Sequence, residues 1–206
     1  MEGPEGSGKS TQLRLLTTFL REHGFNVVAT REPGGTPIGD EIRGILHHVD
    51  NTAMSPITEV LLYAASRAQL VSEIIRPALV AGKLVICDRY IDSTFAYQGY
   101  GRGLDQDMLK ALTSIATGDL WPDLTLLLDV EVSTGLARRL SEGEEMNRLD
   151  LEESAFHERV RRGYHRLAQS QPDRWEVVDA GREVDAIQAD VRRIVSSRLR
   201  LNDDRL

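Results

Sequence analysis

Gly3-Pro4-Glu5-Gly6-Ser7-Gly8-Lys9-Ser10 stands at the head of the chain and sets the terms on which the rest is read. It fits the pattern G-x-x-x-x-G-K-S. Glycines there let backbone N–H groups curl around phosphate oxygens, and the helix that follows adds its positive N-terminal end. In that pattern Lys9 reaches the β- and γ-phosphates of a nucleotide, and the Ser10 hydroxyl is placed to ligate Mg²⁺. A glycine-rich turn without a ligand is the bland alternative, so context matters. Residues 10–23 read as the required helix, with Leu13, Leu16 and Leu20 on one stripe and Leu15 and Phe19 beside it. Such a loop normally follows a central strand, yet only Met1 and Glu2 precede Gly3, so the first strand is expected to be missing or truncated.

Downstream, short apolar runs alternate with longer helical patterns. Residues 26–29, 84–87, 124–130 and 175–178 read as strands, nearly unbroken in apolar character, as strands buried on both faces of a parallel sheet look. Helices are expected over 39–48, 56–75, 105–117, 133–140, 152–168 and 183–199. This alternation predicts a three-layer α/β fold with a mostly parallel central sheet. No repeat or linker divides it, so 1–206 is one domain. The polar stretch 141–147 reads as a mobile excursion, and 202–205 as a frayed end.

The chain carries 25 lysines and arginines against 32 aspartates and glutamates, a net charge of −7. Its 41% hydrophobic content allows one sizeable core. The negative balance argues against nucleic acid as a partner, and an anionic ligand must be drawn by local arginine clusters. No apolar run is long enough to span a membrane, and the N-terminus lacks the regions of a signal peptide, so a cytoplasmic protein is expected. Cys87, the one cysteine, reads as a buried core thiol in a reducing compartment. Only Lys9, Lys83 and Lys110 are lysines. A chain that uses arginine almost wherever a cation serves invites a specific explanation for a lysine inside a motif.

Further candidates follow the strands. Leu84-Val85-Ile86-Cys87-Asp88 is a buried strand ending in a carboxylate, at the sheet edge where ligands bind in open α/β folds. Asp88 is therefore the second candidate for the Mg²⁺ site. Leu126-Leu127-Leu128-Asp129 has the same shape, but Arg89 beside Asp88 adds an anion-binding group and tips the choice. Arg31-Glu32-Pro33-Gly34-Gly35-Thr36 follows another strand to the same edge, although Pro-Gly-Gly alone is usually only a turn. Arg43 lies on the next helix, whose buried side is read as Ile42 and Ile45. Tyr63 and Arg67, at i and i+4, share one helical face and could stack a flat base and bond its carbonyl. Standing alone, they would read as a surface pair. Arg138, Arg139 and Arg148 flank the polar excursion and would otherwise be ordinary solvated charges. The five histidines show no metal-ligand spacing.

Together, Gly3-Pro4-Glu5-Gly6-Ser7-Gly8-Lys9-Ser10-Thr11, Thr30-Arg31-Glu32-Pro33-Gly34-Gly35-Thr36 and Asp88-Arg89-Tyr90-Ile91-Asp92-Ser93-Thr94-Phe95-Ala96-Tyr97-Gln98-Gly99 resemble bacterial thymidylate kinase in order and spacing. Leu61-Leu62-Tyr63-Ala64-Ala65-Ser66-Arg67, Pro122-Asp123-Leu124-Thr125-Leu126 and Asn147-Arg148-Leu149-Asp150 fit the same family. The resemblance runs from Gly3 to about 167. It implies a P-loop NTPase fold and a homodimer, with ATP–Mg²⁺ as donor and dTMP as acceptor, and it gives residues 3–11 to ATP. On the acceptor side it implies Glu5 near the sugar, Arg89 at the phosphate, Tyr63 stacked on thymine and Arg67 on a base carbonyl. Thr94 and Gln98 would meet the Watson–Crick edge, Tyr97 would crowd the 2′ position, and Glu32 and Arg43 fall at the same site. Residues 138–149 correspond to the family's lid, which should supply the catalytic cation, Arg148 and Arg138 first, because the phosphate loop holds Glu5 and Gly6 where some relatives have arginine.

The chemistry needs no base. A phosphate monoester has a second pKa of about 6 and is already a dianion near neutral pH, so catalysis reduces to alignment and charge neutralisation by Lys9, Mg²⁺, Arg89 and lid arginines. The rivals are another monophosphate kinase, a deoxynucleoside kinase with Glu32 as base, and a non-catalytic P-loop module.

Overall fold

The computed structural model describes residues 1–141 and 146–201. Strand β1 (Val27–Arg31) pairs in parallel with β2 (Leu84–Asp88), and β3 (Thr125–Asp129) pairs in parallel with β4 (Trp175–Asp179). The start of the chain lies between the two pairs. The terminal ammonium of Met1 donates to the Cys87 carbonyl at 2.7 Å, and the Arg89 N–H donates to the Met1 carbonyl at 2.9 Å. On the other side the Glu2 N–H donates to Leu126 at 2.8 Å, and the Leu128 N–H donates to Glu2 at 2.9 Å. Glu2 thus stands opposite Leu127 in parallel register. Met1 and Glu2 take the central place expected of a first strand, with about one ladder repeat on each side.

Alternation along β3 builds two cores, one per face, because successive side chains of a strand point to opposite sides. Leu126 and Leu128 pack with Leu16 and Leu20 of α1 (Lys9–Glu22) and Val191 of α9 (Val184–Leu199). Leu127 faces the other way, onto Val60 of α3 (Pro56–Leu70), Leu109 of α6 (Gln106–Thr117) and Val160 and Tyr164 of α8 (Ser154–Ser170). All of these are buried.

Ser55 caps α3 through the Thr58 N–H, and Pro56 occupies its first position, a strong start signal. The single helix expected over 56–75 instead widens to i→i+5 bonding at Val71–Ile75 before α4 (Arg76–Val80). Pro77 explains this, since its ring lacks an N–H and crowds the carbonyl four residues back. Three further expectations are corrected. Ile45 is 49% exposed while Leu46 is 0%, so the buried face of α2 (Pro37–His47) is one residue out of phase with the reading. Cys87 is half-buried and opens on an apolar cavity of about 250 Å³ between β2 and β3. The segment after β2 is helical, as α5 (Ile91–Thr94) and a wide turn over Phe95–Gly101, where no helix was expected. Part of the polar excursion and the expected frayed end, residues 142–145 and 202–205, lie outside the described residues.

Glu2 ties this joint to its surroundings. It is 2% exposed; Oε1 accepts from the Tyr90 N–H at 2.7 Å, and Oε2 accepts from Ser93 at 2.6 Å and Tyr164 at 2.8 Å. Burial, with Asp92 nearby, raises its pKa above the ordinary carboxylate value. Glu2→Ala leaves three donors, two of them buried, without their acceptor and should destabilise the fold by about 3 kcal/mol, while Tyr164→Phe should cost about 1 kcal/mol. Urea midpoints of the two variants check this; equal, negligible shifts would refute the role given to Glu2.

Candidate active site

Strand ends and the phosphate loop enclose a cavity of about 420 Å³ at the carboxyl edge of the sheet. Glu5 to Thr11 form one wall, and Tyr63, Arg67, Arg89, Thr94, Tyr97 and Gln98 are among the residues that line the rest. Gly3 and Pro4 lie behind the loop. Their carbonyls accept from Lys9 Nζ at 3.2 and 2.8 Å, and Ser7 Oγ accepts at 3.1 Å. Gly3 has φ 149°, and a Cβ there would overlap the Leu128 carbonyl, so the loop can leave the sheet this closely only through glycine. Gly6, at φ 64°, lies equally tight on the backbone of Gly135 in α7 (Val132–Ser141).

Ser10 donates to Asp88 Oδ2 at 2.6 Å, so the hydroxyl and carboxylate read as a metal pair are in contact. Among the described residues no three acidic, histidine or cysteine side chains cluster to hold an ion by themselves. Two hard oxygens beside a phosphate loop suit an ion that takes its other ligands from nucleotide and water. Asp129, the competing strand-end carboxylate, is engaged by Arg161 at 2.8 and 2.9 Å and is absent from the cavity wall.

Arg89 sits at φ 63°, uncommon for a residue with a side chain, and is held from several sides. It donates to the Gly3 carbonyl at 3.0 Å, Tyr164 at 3.2 Å and Glu5 at 2.9 Å, and lies over the Tyr97 ring. Tyr97 also donates to Glu5 at 2.8 Å. Burial opposes ionisation of Glu5, but Arg89, Lys9 and the Tyr97 hydroxyl outweigh it and hold the carboxyl down at about 2. Arg67 and Glu32 form a buried pair at 2.8 Å, with Arg67 also donating to the Tyr90 carbonyl. Burial pushes Glu32 up to about 7, with Arg67 only partly offsetting it. Arg43 reaches the rim and donates to the Pro33 carbonyl at 3.0 Å.

The three arginines expected at the lid go to different places. Arg139 lines the cavity and pairs with Asp150 at 3.3 Å. Arg138 turns away, to the Ala180 carbonyl at 2.8 Å. Arg148 is buried against Glu59 at 2.5 Å and the Leu46 carbonyl at 3.1 Å. Neither of the last two lines the cavity, because each finds a deep partner on a neighbouring element. His47, passed over in the sequence, does line it, and burial with nearby Arg43 lowers its pKa to about 4. No spacing signal could have found a lone histidine.

A family model described as thymidylate kinase matches residues 1–191. The chain is 59% identical over 179 residues to the thymidylate kinase of Thermomicrobium roseum, covering 87% of this chain and 84% of that one. It is 50% identical over 205 residues to that of a Roseiflexus species, covering 94% and 91%. Among solved structures, the thymidylate kinase of Ehrlichia chaffeensis superposes with a TM-score of 0.76 at 34% identity, over 94% of this chain and 95% of that one.

Burial and the neighbouring Arg89 lower the Lys9 ammonium to about 8, with Glu5, Asp88 and Glu2 opposing. A phosphate chain bound in the loop would restore the charged form, so binding should take up a proton above that pH. Tripolyphosphate binding should absorb more of a proton at pH 8.5 than at pH 7. Calorimetry in buffers of different ionisation enthalpy measures the uptake. Its persistence in Lys9→Met would assign it to another group.

Proposed function

The chain belongs to the thymidylate kinase family, and from that premise we propose how its residues carry the reaction. As a member it transfers the γ-phosphate of ATP to dTMP, giving dTDP and ADP. The observation that carries the residue assignment is one cavity with the Lys9 loop on one side, the Tyr63–Arg67–Gln98 group on the other and Arg89 among its lining residues.

The donor phosphates lie along the backbone of residues 3–11, with Lys9 exchanging its bonds to loop carbonyls for phosphate oxygens. We take the divalent ion to be Mg²⁺, with Ser10 and Asp88 as its protein side; bound there, it would neutralise and align phosphate oxygens. Arg89 receives the acceptor phosphate, a dianion near neutral pH that needs no base. Glu5 fixes Arg89, and with Tyr97 it faces the sugar, where the phenol crowds a 2′-hydroxyl. Tyr63 stacks on thymine and Arg67 donates to a base carbonyl, held in place by Glu32. Thr94 Oγ1 is buried without a partner among the described residues and is ready, with Gln98, for the base edge. Arg43 borders the acceptor side. Glu32 would be the base of a deoxynucleoside kinase, but its contact with Arg67 suits a positioning role better.

Arg139 is our choice for the transition-state cation among the three lid candidates, supported by its place on the cavity wall. We assign the lid to residues 138–149. We also propose a homodimer through α2, α3 and α6, on whose surfaces Ile38, Ile45, Ile57, Leu61, Met108 and Ile115 are exposed. No helix among the described residues is long and apolar enough to cross a membrane. A cytoplasmic site of action fits the substrates.

ADP release measured across a set of monophosphates should be greatest with dTMP. Lys9→Ala should lower turnover by more than about a hundredfold in a folded protein; wild-type turnover there would remove the donor assignment. Arg67→Ala should weaken dTMP binding by about 1–3 kcal/mol with little change for ATP, and equal losses for both would make Arg67 structural. Arg139→Ala should lower turnover more than it raises either KM, by roughly 10–100-fold, below the range for a lone arginine finger. Arg138→Ala with the larger effect would reverse the choice.

A further inference from the structure

Glu59 lies on the same stripe of α3 as Tyr63 and Arg67, at i, i+4 and i+8, yet it is 1% exposed and does not line the cavity. Its carboxylate collects donors from three side chains. Oε1 accepts from Gln98 Nε2 at 2.8 Å and Arg102 Nε at 3.2 Å. Oε2 accepts from Arg102 at 3.0 Å and Arg148 at 2.5 Å. Burial opposes its charge, but the hydrogen bonds from Arg102, Gln98 and Arg148 prevail, and its pKa falls below the ordinary value.

An ionised carboxylate only accepts hydrogen bonds, whereas a glutamine amide has a donor end and an acceptor end that can exchange by a half-turn. Gln98 itself lines the cavity. With its NH₂ end bound to Glu59, its carbonyl end is the one left for the cavity. A carbonyl oxygen there accepts the N3–H of a thymine or uracil ring and opposes the bare N3 lone pair of cytosine. We infer that Glu59 is a positioning residue for base selection: by holding the Gln98 amide in one orientation, it makes the acceptor pocket demand a ring N–H donor. The inference rests on the acceptor site proposed above. It adds a residue that touches no substrate and explains why a glutamine, which could read either kind of ring nitrogen, reads one.

In Glu59→Gln the new amide can donate to Gln98 as well as accept from it, which frees Gln98 to turn. The ratio of kcat/KM for dTMP over dCMP should fall by about tenfold, and KM for dTMP should rise while KM for ATP stays within about twofold. Gln98→Met should cause a similar loss, and adding Glu59→Gln to it should change the ratio no further. Arg102→Met, which removes another Glu59 partner but leaves the Gln98 bond, should keep the wild-type ratio. Glu59→Asp draws the acceptor back by one methylene, should show a smaller loss of the same kind, and carries the test if Glu59→Gln does not fold. An unchanged ratio in a folded Glu59 variant, a further fall in the double mutant, or an equal fall in Arg102→Met would each overturn the inference. A wild-type chain inactive on dTMP would instead overturn the function it rests on.

Discussion

Four backbone hydrogen bonds from Met1 and Glu2 join two parallel strand pairs that otherwise share no ladder. The site depends on this joint, because the same residues launch the phosphate loop and set its distance from Asp88. Glu2 adds a side-chain anchor through Tyr90, Ser93 and Tyr164. Arg89 leans on the same region through the Gly3 carbonyl and Tyr164. Arg89 and the phosphate loop are thereby fixed to one another through a segment of three residues.

The site is also a solution to an electrostatic problem. A chain of net charge −7 must hold two polyanions close together. Lys9, Arg67 and Arg89, all on the cavity wall, each stand where a counter-charge already waits. Glu5 lies between Arg89 and Lys9, and Glu32 holds Arg67. Buried cations without such partners would be costly to maintain. The carboxylates keep the arginines ordered, which is what catalysis by positioning requires.

How much of this was legible in the sequence depended on the range of the interaction. The loop, its helix and Asp88 are specified by local pattern, and the structure brings Ser10 and Asp88 into contact as that pattern implies. The stripe Tyr63–Arg67 was legible from helical period alone. The fate of Arg138 and Arg148 was not, because an arginine's long side chain ends wherever a buried acceptor lies, and Ala180 and Glu59 are distant in sequence. The one-residue error of phase between Ile45 and Leu46 arose because an amphipathic pattern names a face only when something polar contradicts it. The helical segment after β2 was hidden by its motif, which reads as a set of ligands more readily than as a buried helix.

Gly6 and Gly135 touch backbone to backbone, with no room for a Cβ on either. In mechanical terms the first turn of α7 is a pivot pressed on the phosphate loop. Arg139 stands one turn beyond it, a lever arm of about 6 Å at 1.5 Å per residue. A tilt of α7 by ~10° about that pivot would carry the Arg139 backbone by only about an ångström. Such a short arm suits a fine adjustment of a charge on the cavity wall and is ill suited to a wide swing. It also transmits any shift of the phosphate loop to the base of the helix that carries Arg139.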